Sequence, residues 1–157
     1  MTDASFEDGA EKPLRLVAFA EDDLEVLSSL AQDAIFPATE MAWKRKDRRF
    51  AILINRFRWE DADAASRRSR SFERVQSVLT VEQVEGVRSQ GVERDANTVL
   101  SLLSVSFEAR GDAAGTVILT FAGDGAIAVD VEALEVTLRD VTRPYVAPSK
   151  SKPGHDV

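Results

Sequence analysis

The sequence predicts an α+β fold: one amphipathic helix packed on a strongly bent, mainly antiparallel sheet of about seven strands. Three observations carry this. Residues 50–54, FAILI, are apolar at every position, the pattern of a strand buried on both faces. Leu24, Leu27, Ala31 and Ala34 recur at helical spacing. Residues 78–90 and 126–138 alternate like strands but change phase partway, as bulged strands do. Such bends favour a barrel-like roll.

In chain order, residues 1–12 are polar and acidic and read as a disordered tail ahead of a single domain at 13–142. Residues 14–19 form a short first strand. The helix is predicted over 23–35, with Asp22 as N-cap and Glu25 completing a capping box. Acidic Glu21, Asp22 and Asp23 suit its positive end. Leu30 and Ile35 widen its apolar stripe, and Pro37 stops it. This stripe is the natural cover for the even face of the central strand.

Residues 40–43 begin a second strand, and the polar 44–47 form a hairpin connection into the central stretch, 48–60. Beyond Ile54 that stretch alternates strictly. Phe57 and Trp59 share one face with Ala51 and Leu53, while Arg56 and Arg58 share the other with Phe50, Ile52 and Ile54. Asn55, where the pattern changes, could mark a bulge that swaps the faces. Residues 61–70 carry paired arginines without an apolar period and read as an exposed loop.

Residues 78–90 make an interrupted strand, with Gly86 placed for a bulge. Strands at 99–108 and 116–121 flank a loop at 111–115. Gly123-Asp124-Gly125 is a tight turn into the last strand, 126–138. The segments VEQVE at Val81 and VEALE at Val131 resemble each other, and an aromatic–Glu pair precedes each, so an internal repeat is one reading. Residues 143–157 hold Pro144, Pro148 and Pro153 and read as an extended tail.

Composition narrows the chemistry. The chain has 157 residues, no cysteine and one histidine, His155, in the C-terminal tail. Thiol catalysis, disulfides and cysteine–zinc sites are therefore excluded, and a histidine-based triad or metal site would have to be built on a tail. No phosphate-binding loop and no GxGxxG after a strand occurs. Asp130 and Glu132 would share a strand face and could meet a divalent ion, but a solvated face opposite Val129 and Val131 is the preferred reading. No catalytic set and no cofactor follows. The N-terminus is no signal peptide, and no apolar run is long enough to span a membrane, so a cytoplasmic protein is expected.

Charge is uneven. Residues 44–74 hold 11 of the 20 Lys/Arg and 5 of the 27 Asp/Glu, a basic segment within a chain of net charge −7. Its residues Arg48, Arg49, Arg56, Arg58, Trp59, Arg67, Arg68 and Arg70 are the candidate anion or partner surface. Two readings stay open. The arginines are a solvated strand end with Trp59 in the core, or they form a cationic platform for a carboxylate, phosphate or base.

The segments NRFRWE at Asn55, VRSQGV at Val87, VLSLLSVSFE at Val99 and FAGDGAIAVDVEALEVTLRD at Phe121 resemble a bacterial family catalogued as a domain of unknown function, number 2948 in its series. The opening LRLVAFAEDDL and the closing PGHD are similar too, so the resemblance spans nearly the whole chain after its first residues. Pro144-Tyr145 stands where the family is expected to have Pro-Trp. The family has no assigned activity, so the resemblance implies no catalytic residue.

Three functions follow as expectations. The first is a non-enzymatic accessory or protein-interaction domain, its partner a protein or a second copy. The second is an RNA or nucleotide binder using the Arg/Trp strand and the basic loop. The third is a small-molecule or enzyme pocket inside the roll.

Overall fold

The computed structural model describes residues 12–146. The expected N-terminal tail, apart from Lys12, and the C-terminal tail beyond Val146, with His155, lie outside the described residues.

The strands are β1 (Arg15–Ala18), β2 (Ile35–Pro37), β3 (Met41–Lys44), β4 (Arg49–Phe57), β5 (Glu73–Val81), β6 (Val84–Gln90), β7 (Val99–Ala109), β8 (Gly115–Phe121), β9 (Ala126–Val131), β10 (Val136–Asp140) and β11 (Tyr145–Val146). Two helices, α1 (Glu21–Ala31) and α2 (Ala62–Arg67), and two 3₁₀ turns complete the fold. All strand pairs are antiparallel, in the order β1-β10-β5-β4-β2-β7-β8-β9-β6, with β3 on β4 and β11 on β5.

The described residues thus form eleven strands where about seven were expected, and the sheet stays open rather than closing as a barrel. The excess has a physical origin. Each phase-shifted segment is two strands: β5 with β6, and β9 with β10. The other additions, β2 and β11, are three and two residues long, too short to show a period.

The two phase shifts face each other. Val81 pairs with Val136 and Val84 with Val131. Between them the Glu82 N–H donates to the Glu135 carbonyl (2.9 Å), and the Glu132 N–H to the Gln83 carbonyl (3.0 Å). Gln83 adopts φ 60°, and the ladder slips between Val84 and Gly86, the bulge predicted there. VEQVE and VEALE are therefore two sides of one corner, and they differ locally, since Gln83 takes a positive φ and Ala133 does not. The preceding pairs differ too: Trp59-Glu60 lies in a 3₁₀ turn and Phe107-Glu108 in a strand. The shifts keep apolar side chains inward on both sides of the bend, Val81 then Val84, and Val131 then Leu134.

Helix α1 starts at Glu21, with Ala20 at the N-cap and no side-chain cap. Asp22 and Asp23 sit inside the first turn, where their charge, rather than a capping box, meets the helix dipole. The helix ends at Ala31, well before Pro37, because Asp33 takes φ 65° and the chain passes into β2. The predicted stripe holds: Leu24, Leu27, Ala31 and Ala34 are buried. It packs chiefly on β7 and β1, with less contact to β4 than expected. The Val105 N–H also donates to Ser28 Oγ at 2.8 Å.

The hairpin from β3 into β4 is present, with Arg48 at φ 55° in its turn. The β4–β5 ladder runs unbroken from Phe50–Val81 to Phe57–Arg74, so Asn55 marks no bulge. The expected loop at 61–70 is instead partly helical, with Asp61, Ala62 and Ala65 buried. The inner side of the sheet is filled by one apolar cluster that includes Leu27, Phe36, Phe50, Leu102, Phe121 and Val136.

Candidate functional site

Arg56 continues the inward parity of Phe50, Ile52 and Ile54 and is fully buried. What receives it comes from two other strands. Ile54 pairs with Ser77 on β5, and Ser77 with Asp140 on β10, placing a hydroxyl and a carboxylate on the same inner face. Arg56 Nε donates to Ser77 Oγ and Asp140 Oδ1, both at 3.1 Å. Its Nη2 reaches Asp140 Oδ2 at 3.0 Å and Glu60 Oε2 at 2.7 Å, and its Nη1 reaches Glu60 Oε1 at 2.9 Å. Asp140 also accepts from Ser77 Oγ (2.6 Å) and from the Leu14 N–H (2.9 Å).

Arg58 is 6 % exposed and lies where the chain leaves β4 for the 3₁₀ turn Trp59–Asp61. It pairs with Glu73 and has Asp61 at 3.7 Å. Asp61 in turn accepts both ends of the Arg70 guanidinium, at 2.8 and 2.9 Å. Burial pushes the Glu60 carboxyl up, but hydrogen bonds from Arg56 and the attraction of its charge outweigh this and hold it below the ordinary value. Arg70, chiefly by hydrogen bonding, likewise holds Asp61 low against its burial. Burial opposes the Arg56 charge, and Glu60 and Asp140 more than compensate, so its pKa is raised.

Beside this cluster opens a cleft of about 160 Å³. Its walls are Lys12, Arg58, Asp140, Thr142 and Arg143, with a proline on either side.

The opposite face of the same strands is different. Ala42 pairs with Ala51, Ala51 with Thr80, Thr80 with Thr137, and Thr137 with Val17. These residues have the parity opposite to the buried Phe50, Ile52, Leu79 and Val136, so they form one uncharged row across five strands. At the usual strand spacing the row is roughly 19 Å wide. Leu53 and Val78 pair beside it. One edge of the row carries Lys44, Arg49, Glu82 and Glu135, with Arg49 paired to Glu82, and the other carries Arg139 and Arg15.

A family model described as a protein of unknown function, DUF2948, matches residues 14–155. The chain belongs to the DUF2948 family. No curated protein and no solved structure matches it significantly.

In this DUF2948 chain the eight predicted residues fall into three places. Arg56, Arg58, Arg70 and Trp59 belong to the buried cluster and its edge. Trp59 is half-buried, its ring 4.6 Å edge-on from Phe57 and its indole N–H donating to the Gln32 carbonyl at 2.9 Å. Arg48 and Arg49 sit at the β3–β4 hairpin, paired with Glu132 and Glu82. Arg67 and Arg68 are exposed at the end of α2. Arg56 and Arg58 thus form neither a solvated strand end nor a flat platform, because Glu60 and Asp61 nearby in the chain and Glu73 and Asp140 from other strands enclose them.

The DUF2948 cluster also contains Glu60, Glu73, Ser77 and Asp140, which sequence reasoning missed. Only Glu60 carried a local signal, four residues from Arg56. Asp130 accepts from Arg88 (2.9 Å) and Thr116 (2.8 Å). Among the described residues, no group of three or more His, Cys, Asp or Glu is arranged to hold a metal ion. No helix among them is long and apolar enough to cross a membrane.

Proposed function

We propose that this DUF2948 chain is a non-catalytic protein-interaction domain. Its outer sheet face docks a protein surface that is uncharged at its centre and carries carboxylates at one edge. One observation carries the reading: the row Ala42, Ala51, Thr80, Thr137, Val17 is free of charge, and one of its edges is the basic pair Arg15 and Arg139, in a chain that is acidic overall. Uncharged centres with charged rims are the usual anatomy of protein interfaces. The basic Arg15–Arg139 edge selects an acidic partner and speeds encounter with it. Phe19, 65 % exposed just beyond β1, is an aromatic anchor at one end of the row.

The test is a photo-crosslinking residue at Ala42 in the full chain, expressed in its own cell, with Asp112 of the β7–β8 loop as control position. A single crosslinked protein at Ala42, absent at Asp112 and lost when Thr80→Arg is added, is the expected result. Crosslinks mainly to nucleic acid, or equal capture at both positions, would sink the reading.

A further inference from the structure

We infer that the cleft beside Asp140 binds a small oxyanion of the phosphate class. Three cationic side chains line it, Lys12, Arg58 and Arg143, against one carboxylate, Asp140. That carboxylate is already saturated. Its Oδ1 accepts from Arg56 Nε and Ser77 Oγ, and its Oδ2 from Arg56 Nη2 and the Leu14 N–H. A carboxylate offers about four lone-pair sites, and all four are filled from inside the protein. Asp140 therefore has no capacity left for Lys12 or Arg143. Neither of those two ion-pairs with a carboxylate among the described residues.

The three cations differ in mobility. Arg58 is 6 % exposed and is fixed in the wall by Glu73 and Asp61, so its charge stays in place. Lys12 and Arg143 are exposed at the mouth and can close on a ligand. Pro13 and Pro144, next to them in sequence, restrict the backbone on both sides. A single bound water needs only about 10–15 Å³ of such space. At about 160 Å³ the cleft holds a phosphoryl group with a few further atoms attached. Guanidinium and ammonium groups converging on one small space are the usual recognition set for such an anion. The Thr142 hydroxyl adds a polar wall: it accepts from the Gln76 N–H and donates to the Arg143 carbonyl, both at 3.1 Å.

Inorganic phosphate is the probe, titrated into the full chain at constant ionic strength and followed by calorimetry and by amide and guanidinium NMR. Saturable binding is expected, with the first shifts at Lys12, Thr142 and Arg143. Lys12→Gln with Arg143→Gln should weaken it by about tenfold or more. Arg67→Gln with Arg68→Gln removes two exposed charges elsewhere and should leave affinity within about twofold. Circular dichroism of both pairs checks that the fold is intact. Unsaturable shifts spread over all basic residues, equal losses in both pairs, or acetate binding as tightly as phosphate would each overturn the proposal.

Discussion

Arg56 is the residue on which the candidate site turns. Alternation placed it on the face of Phe50, Ile52 and Ile54, and the structure keeps it there. What could not be read was its cover, because Asp140 lies 84 residues away in the chain. A buried guanidinium is tolerable only when carboxylates and hydroxyls saturate it, as Glu60, Asp140 and Ser77 do. Removing one partner is costly. Arg56→Ala strands Asp140 and Glu60, and urea unfolding should show a loss of about 3–5 kcal/mol. Arg56→Met with Glu60→Gln and Asp140→Asn removes the stranded charges as well and should recover much of that loss. The acid response follows from the same contacts. Glu60 and Asp61 are held below their ordinary values of 4.5 and 3.8, so in the unfolded chain they bind protons more readily than in the folded one. Their contribution is present in full above those ordinary values and is lost as pH falls through the depressed folded ones. Stability measured from pH 6 downward should therefore fall below about pH 4.5, and Glu60→Gln should make that fall shallower.

At the scale of elements, long periodic segments were legible and short ones were not. The stripe of α1 and the phase shifts before Val84 and Leu134 were visible because each repeats a period several times. The α1 start was misread because Asp22 satisfies the N-cap rule as well as Ala20 satisfies the geometry. α2 was missed because six residues with two buried alanines scarcely show a period. Gly115 had the look of a loop end, yet it begins β8, paired with Ala109 and Val131. Its role is close approach. A Cβ there would lie 2.5 Å from the Glu108 carbonyl oxygen and would strike the Phe107 ring. Gly115→Ala must push strand backbone aside, so a loss of about 1–3 kcal/mol is expected in thermal or denaturant unfolding.

At the scale of the molecule, the bend gives the sheet two unlike faces. The inner face is filled by the apolar cluster, and the outer face of β3, β4, β5, β10 and β1 presents the uncharged row. Thr80 lies in the middle of that row with its side chain outward. Thr80→Arg should therefore change unfolding free energy by no more than about 0.5 kcal/mol while abolishing partner binding. A large loss of stability would show that the face is part of the fold rather than a docking surface. By itself the sequence determined a mostly antiparallel sheet with few helices, the helix stripe, the strand parities and the places where they shift. These properties are local, set by side-chain period and backbone sterics. The tertiary structure alone decided that β5 lies between β4 and β10, that the two shifts make one corner, and that the sheet stays open. It also decided that Arg56 would be enclosed rather than displayed. Strand pairing joins segments far apart in sequence, and the identity of a neighbour leaves no mark on the period of the strand that receives it.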